Sequence, residues 1–257
     1  MLARIALRIA AVEALKGQTL VGDNVLDSQI GALDVAADGT IRTDQQKPFL
    51  SVYVEGSKVE NGLELRGLHR SGQTEFMIEI GITTAMTVTD SETGVSEVIP
   101  GLPATDPAFE FYLDVVGRQI VNALSDPNNA WAEIWRGLSS SVVKIERKRT
   151  SDAASGTRIA AHQLVITLEL LPDPVFGEPI APTSIWAKLF AQMESAEHPF
   201  LPTLQSLVGD PTGVLDHEAQ RRRRGMTLDE ARALLGMAPE VAETTEPNIA
   251  VTVEQVP

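Results

Sequence analysis

Proton transfer and metal binding near neutral pH usually involve histidine, and this chain has four: His69, His162, His198 and His217. No two stand in an HExxH or HxH arrangement, the spacing that turns two imidazoles toward one ion. His162 opens an alternating strand, where a satisfied or solvent-facing imidazole is the economical reading. Cysteine is absent, which removes thiolate nucleophiles, disulfides and sulfur-ligated zinc together. No nucleophile elbow, phosphate loop or dinucleotide-binding glycine turn follows a strand. Asp90, Ser91 and Glu92 could meet a cation, but they lack the order of a calcium loop, so a solvated turn is expected. These absences predict a chain that is not an enzyme and needs no metal or cofactor.

Charge is the sharper signal. Arg221–Arg224 are four consecutive arginines that could grip a phosphate backbone, with Thr227–Gly236 behind them posing as half of a helix-turn-helix. A DNA-binding regulator acting through Arg221–Arg224 is therefore the alternative function. Consecutive arginines on a helix point all round it, however, and Asp229 and Glu230 would repel phosphate. Contact with a neighbouring subunit or an acidic patch is the preferred expectation. A second basic run, Lys144, Arg147, Lys148 and Arg149, reads as a solvated strand end or a subunit interface.

The whole chain is acidic, with 35 carboxylates against 21 bases and a formal charge of -14. That balance disfavours general adhesion to nucleic acid or anionic lipid. No stretch reaches the roughly 18 to 20 apolar residues that span a membrane. Arg8 and Glu13 interrupt the apolar opening, so it reads as an amphipathic docking helix rather than a signal peptide.

The elements that would position these residues follow from periodicity. The opening helix should stop at Lys16-Gly17, where glycine can cap it. Pro48 can begin a short strand over Phe49–Val54. Phe76, Ile78, Ile80 and Ile82 alternate with Glu75, Met77, Glu79 and Gly81, a strand with one oily face. Phe109, Leu113, Val116, Ile120 and Ala123 stripe a helix that Asp106 should cap, with Pro107 as its first residue. Trp131, Trp135 and Leu138 share one side of a shorter helix. Val143 and Ile145 mark a strand, and Leu164, Ile166, Leu168 and Leu170 face one way on the last one. Two alternating strands joined by a polar span favour an antiparallel pair.

Strands in runs with helices at either side predict an α+β fold, not a doubly wound one. The expected domain covers 1–172, a small mostly antiparallel sheet packed against two or three helices. At Pro172, Pro174, Pro179 and Pro182 the composition shifts to an extended linker. The expectation for 173–257 is that linker, a helical extension and an acidic, mostly disordered tail. Ser184 should cap a helix with Ile185, Trp186, Leu189, Phe190 and Met193 on its oily side, docked on another subunit or protein. Thr227 and Glu230 make a capping box for a second helix.

This order of elements resembles the tail-terminator proteins of long-tailed bacteriophages over about the first two thirds of the chain, to Pro172. The residues that carry the likeness are the Gly-Gln-Thr-Leu-Val-Gly-Asp turn at Gly17–Asp23, the Pro-Phe-Leu-Ser-Val-Tyr strand at Pro48–Tyr53, the helix at Tyr112–Leu124 and Gly-Thr-Arg-Ile-Ala at Gly156–Ala160. The resemblance implies a small sheet with helices on one face, assembled as a homo-oligomeric ring, a hexamer in that family. Such a ring stops growth of the tail tube protein and presents a surface to a head-completion or neck protein. It implies a virion location in the tail-neck region, after assembly in the host cytoplasm, with DNA passing through the lumen without specific binding and no membrane. A ring subunit needs two different patches, one for each neighbour. The candidates are Arg66, His69 and Arg70 in the loop Gly56–Gly72, the loop Asp90–Pro107, the strand end Lys144, Arg147, Lys148 and Arg149, and the oily pair Trp186 and Phe190.

Overall fold

The structure is a computed structural model. It describes residues 1–29, 34–35, 41–42, 47–60, 70–83, 88–89, 96–99, 102–103, 105–152, 159–209, 226–227, 229–230 and 233. A helix, α1 (Leu2–Leu15), leads to the short strands β1 (Val25–Asp27), β2 (Asp34–Val35) and β3 (Ile41–Arg42), then to β4 (Phe49–Lys58) and β5 (Gln73–Thr83). Three more short strands follow, β6 (Val88–Thr89), β7 (Ser96–Ile99) and β8 (Leu102–Pro103). Next come helices α2 (Asp106–Ser125) and α3 (Ala130–Gly137), strands β9 (Ser139–Asp152) and β10 (Ile159–Leu170), and helices α4 (Ile185–Ser195) and α5 (Leu201–Val208).

The main sheet has the order β1-β4-β5-β10-β9. Every pairing in it is antiparallel except β1 with β4. The fold is α+β, a mixed and mostly antiparallel sheet with helices, as the alternation predicts. The two strands that show the clearest alternation are direct neighbours, with Ile80 opposite His162 and Ile78 opposite Leu164.

One face of the sheet carries Leu50, Val52, Phe76, Ile78, Ile80, Ile82, Leu164, Ile166 and Leu168, all buried with the helices in one core. Full burial of each large side chain is worth about 1.5–3 kcal/mol, so this face dominates the stability of the domain. Trp135 of α3 meets Phe76 with ring centroids 5.5 Å apart. The other face is buried at its centre too: Phe49, Met77, Ala161 and Val165 are nearly inaccessible. Phe49 lies over Gly81 so closely that a Cβ there would come within 2.4 Å of its ring.

α1 is more than a docking helix. Ala3, Ala6, Ala10, Ala11 and Ala14 are as inaccessible as Leu7 and Leu15, because alanine lets neighbours close in on several sides of a helix. Gly17, at φ +67°, ends it in the left-handed conformation that glycine adopts without strain. Its basic residues leave the core sideways: Arg8 pairs with Asp27 and Arg4 donates to the Val54 carbonyl at 3.2 Å. In α2 the cap is Thr105, one residue before the expected Asp106. Asp106 instead sits in the first turn, where a carboxylate meets the positive end of the helix dipole, and the fixed φ of Pro107 suits that turn.

The chain divides into two compact units, Met1–Gly213 and Val214–Pro257. The boundary expected at 172 thus falls inside the first unit. Asp173 accepts from the backbone N–H groups of Leu2 (2.9 Å) and Ala3 (2.8 Å), and so caps α1 from the far end of the unit. Trp186, Leu189 and Met193 of α4 and Leu204 and Val208 of α5 join the same core as the sheet. Ser184 caps α4 as expected, accepting from Ala187 N–H at 3.2 Å. Few residues of the second unit are described. Among them Thr227 and Glu230 form the expected capping box, with Glu230 Oε2 accepting from Thr227 N–H at 2.8 Å and Thr227 Oγ1 accepting from Glu230 N–H at 3.2 Å.

Candidate subunit interface

Among the described residues β9 is the last strand of the main sheet and pairs with β10 on one side. Its other side is an edge with backbone donors and acceptors facing outward. Two irregularities mark its start, where the register against β10 shifts at Thr167/Leu168 and at Glu169/Leu170. From Lys144 to Asp152 the pairing is unbroken, opposite Thr167 to Ile159. Val142, Val143 and Ile145 are 52, 49 and 50 % exposed. Three β-branched or apolar side chains half in water on one edge form a small patch that a partner could cover.

The cations of the strand divide between its faces because successive side chains alternate. Arg147 and Arg149 stand opposite Leu164 and His162, on the side that carries α2. There a groove of about 360 Å³ opens between helix and sheet, with Ile80, Leu113, Val121 and Leu164 among its apolar lining and Arg118, Arg147 and Arg149 among its charges. Gly117 also lines it, and the missing side chain widens the gap between α2 and the sheet. Lys144 is on the other side of the strand and pairs with Glu146 at 2.9 Å.

Glu110 of α2 ties the strand end to the helix. Its Oε1 accepts from Arg149 Nε at 2.6 Å, and its Oε2 lies 3.2 Å from His162 Nε2. His162 Nδ1 is 3.9 Å from Asp114. The imidazole thus lies between two carboxylates of α2, at the wall of the groove. Its work here is to hold the wall of the groove, as a satisfied histidine does. No group of three potential metal ligands occurs among the described residues.

The opposite face of the sheet carries a second polar knot. Glu79 Oε1 accepts from the Tyr53 hydroxyl at 2.7 Å and from Gln163 Nε2 at 2.6 Å. Burial, followed by that hydrogen bond and the charges of Glu79 and Glu55, holds the Tyr53 phenol well above its ordinary range.

Of the residues singled out from sequence, the structure brings Arg147, Lys148 and Arg149 to the lining of the groove and leaves Lys144 exposed elsewhere on the same strand. Arg70 is exposed just before β5. Arg66, His69 and Arg221–Arg224 lie outside the described residues, as do 90–95, 100, 101 and 104 of the loop Asp90–Pro107. Trp186 is buried in the core of its own chain and Phe190 is half-buried against it, so the oily side of α4 is not an open docking face. Leu189 and Met193 of that side are fully buried. Periodicity did not point to Glu110, Asp114 and Arg118, since a charged helix face usually meets only solvent. What brings them to the site is the proximity of α2 to β10.

No family model matches the chain, and no curated protein matches it. No helix among the described residues is long and apolar enough to cross a membrane.

Proposed function

We propose that this chain is a structural virion protein of a long-tailed bacteriophage, a ring subunit that terminates the tail tube and joins it to the neck. The observation that carries the reading is the open edge at β9, a long basic strand with half-exposed apolar side chains, in an otherwise acidic chain. A subunit with one cationic edge and an excess of carboxylates elsewhere favours head-to-tail contacts over self-matched ones, and head-to-tail contacts close into rings. The α+β architecture fits the resemblance carried by Gly17–Asp23, Pro48–Tyr53, Tyr112–Leu124 and Gly156–Ala160. Under this reading the tube protein binds one face of the ring and a head-completion protein the other. The acidic surface keeps the passing DNA from adhering.

Two measurements test it. The mass of the purified protein in solution should be that of a closed oligomer, a hexamer if the family habit holds. Arg147→Glu with Lys148→Glu should drive it toward the monomer while circular dichroism stays unchanged, because the Glu110–Arg149 pair is left intact. Phage particles made without this chain should carry tails of irregular length or tails detached from heads. Normal, joined tails in its absence would overturn the assignment.

A further inference from the structure

α2 carries a glycine that packing does not require. Gly117 stands in the middle of a helix of 20 residues, where glycine is less stable than alanine. Two other glycines of the fold are held by their neighbours. A Cβ at Gly81 would come within 2.4 Å of the Phe49 ring, and one at Gly137 within 2.5 Å of Ile185. At Gly117 the nearest atom to such a Cβ is Ile80 Cδ1 at 3.8 Å, an ordinary van der Waals distance. An alanine would fit. What the glycine keeps open is the groove of about 360 Å³ between α2 and the sheet, which it lines.

That groove has an apolar floor and a cationic mouth. Ile80, Leu113 and Leu164 are 2, 0 and 6 % exposed and form the floor, with Val121 beside them. Arg118 on α2 and Arg147 on β9 stand on its two walls. Both are exposed, and neither has a hydrogen bond or ion pair among the described residues. Arg149 is already bonded to Glu110 at 2.6 Å. Asp114 is the one acidic residue of the described lining, and it lies 3.9 Å from His162 Nδ1. Two guanidinium groups over an oily floor attract a negative group that has an apolar body behind it.

We propose that this groove binds a small amphipathic anion, a hydrocarbon chain or ring system bearing a single carboxylate or sulfonate. The body lies on Ile80, Leu113 and Leu164, in the space that a side chain at Gly117 would fill. The head group takes charge-assisted hydrogen bonds from Arg118 and Arg147. A volume of about 360 Å³ is at the small end of ligand cavities. A peptide laid along the same floor would bring N–H and C=O groups onto apolar walls that cannot bond them, whereas a hydrocarbon brings none. The site stands apart from the ring reading, because floor and head-group contacts all come from one chain.

The test uses the full chain and the fluorescent anion anilinonaphthalene sulfonate, with uncharged phenylnaphthylamine as its sulfonate-free counterpart. The anionic dye should be displaced by decanoate far more readily than by decanol. Arg118→Gln should weaken the anionic dye and decanoate roughly tenfold, the worth of one hydrogen bond to a charged group, and leave the neutral dye unchanged. Gly117→Leu fills the groove and should abolish the binding of both dyes. Gly117→Ala should bind them more weakly and yet unfold at a higher temperature than the parent, the combination expected of a glycine kept for its space. Displacement by decanol as readily as by decanoate, or unchanged anion binding in Arg118→Gln, would reduce the groove to plain apolar surface and overturn the proposal. So would undiminished binding in Gly117→Leu with an intact circular dichroism spectrum. If Gly117→Leu does not fold, Gly117→Ala decides: a lowered Tm would show that packing, and not a ligand, keeps the glycine.

Discussion

Leu189→Ala is the most direct test of whether 185–208 belongs to the core or hangs from it. Leu189 is fully buried on α4 between Trp186 and Met193, which are also buried. Ile185, one turn earlier, packs so closely on α3 that a Cβ at Gly137 would come within 2.5 Å of its Cδ1. The surface pair Lys188–Glu133 at 2.7 Å joins the same two helices, but exposed pairs of this kind contribute only about 0–1 kcal/mol. The loss is therefore mainly packing, and truncating a buried leucine costs about 2–5 kcal/mol. Against a total stability of roughly 5–15 kcal/mol, that is a large fraction. With about 2–4 °C lost per kcal/mol in a domain of this size, a 3 kcal/mol deficit should lower Tm by roughly 6–12 °C. All three tryptophans, Trp131, Trp135 and Trp186, sit on α3 or α4, so their fluorescence reports this contact during urea unfolding while circular dichroism reports the sheet. The two transitions should coincide in the parent and in the variant, with the midpoint moved and the slope kept. A change under about 0.5 kcal/mol, the range of ordinary surface substitutions, or a fluorescence transition well ahead of the circular dichroism, would show that α4 and α5 melt as a separate appendage.

Three further outcomes follow from other parts of the fold. Asp173→Ala removes the acceptor for Leu2 and Ala3 N–H and should cost about 1–2 kcal/mol, whereas Asp173→Asn, which can still cap, should stay close to the parent; equal losses in a denaturation series would show that the charge and not the cap matters. Gly81→Ala forces a methyl into the Phe49 ring and should cost about 1–3 kcal/mol by overpacking, with Phe49→Leu restoring part of the loss; additive losses would mean that the two do not compete for one space. Both tyrosines should resist ionisation. Burial pushes the Tyr112 phenol up to about 12, its hydroxyl has no hydrogen bond among the described residues, and Tyr53 is raised as well. A phenol whose folded pKa is raised stabilises fully below its unfolded value of about 10, and that share is lost as pH climbs from there through the folded value. Phenolate absorbance should thus be nearly absent near pH 11 in the folded protein and fully developed in urea at the same pH; half-ionisation near pH 10 in a protein still folded would refute the burial of these rings.

Legibility in the sequence followed the range of the forces involved. Alternation at Phe76–Ile82 and Leu164–Leu170 announced two strands and their pairing because one buried face imposes a period of two. Ser184, Thr227 and Glu230 announced helix starts because caps act within a single turn. The oily side of α4 was equally visible, but a hydrophobic stripe states only that something covers it. Whether the cover is the same chain or another is decided by contacts such as Asp173 with α1, which join residues at opposite ends of the unit. Prolines marked 172–182 as extended, and extended chain held at both ends is not a loose linker. Alanine hid the depth of α1, since its small apolar side chain marks a buried face less plainly than leucine does.

The candidate site was legible to the same degree. The basic run Lys144–Arg149 stood out as charge, yet its meaning depends on β9 being an edge, and strand order is set by pairings between distant segments. In a central strand the same residues would be an unpaired cationic ladder facing two neighbours and would not survive burial. At an edge they solve a problem: lysine and arginine keep a long open strand from pairing with its own copies. That protection excludes like-charged edges and leaves the strand open to acidic ones. The half-exposed Val142, Val143 and Ile145 would be a liability on a strand meant only to repel. Charge that rejects self-pairing, set beside apolar surface that gains from being covered, is the combination a selective edge requires, and it turns the search for this protein's partner toward acidic, strand-forming segments.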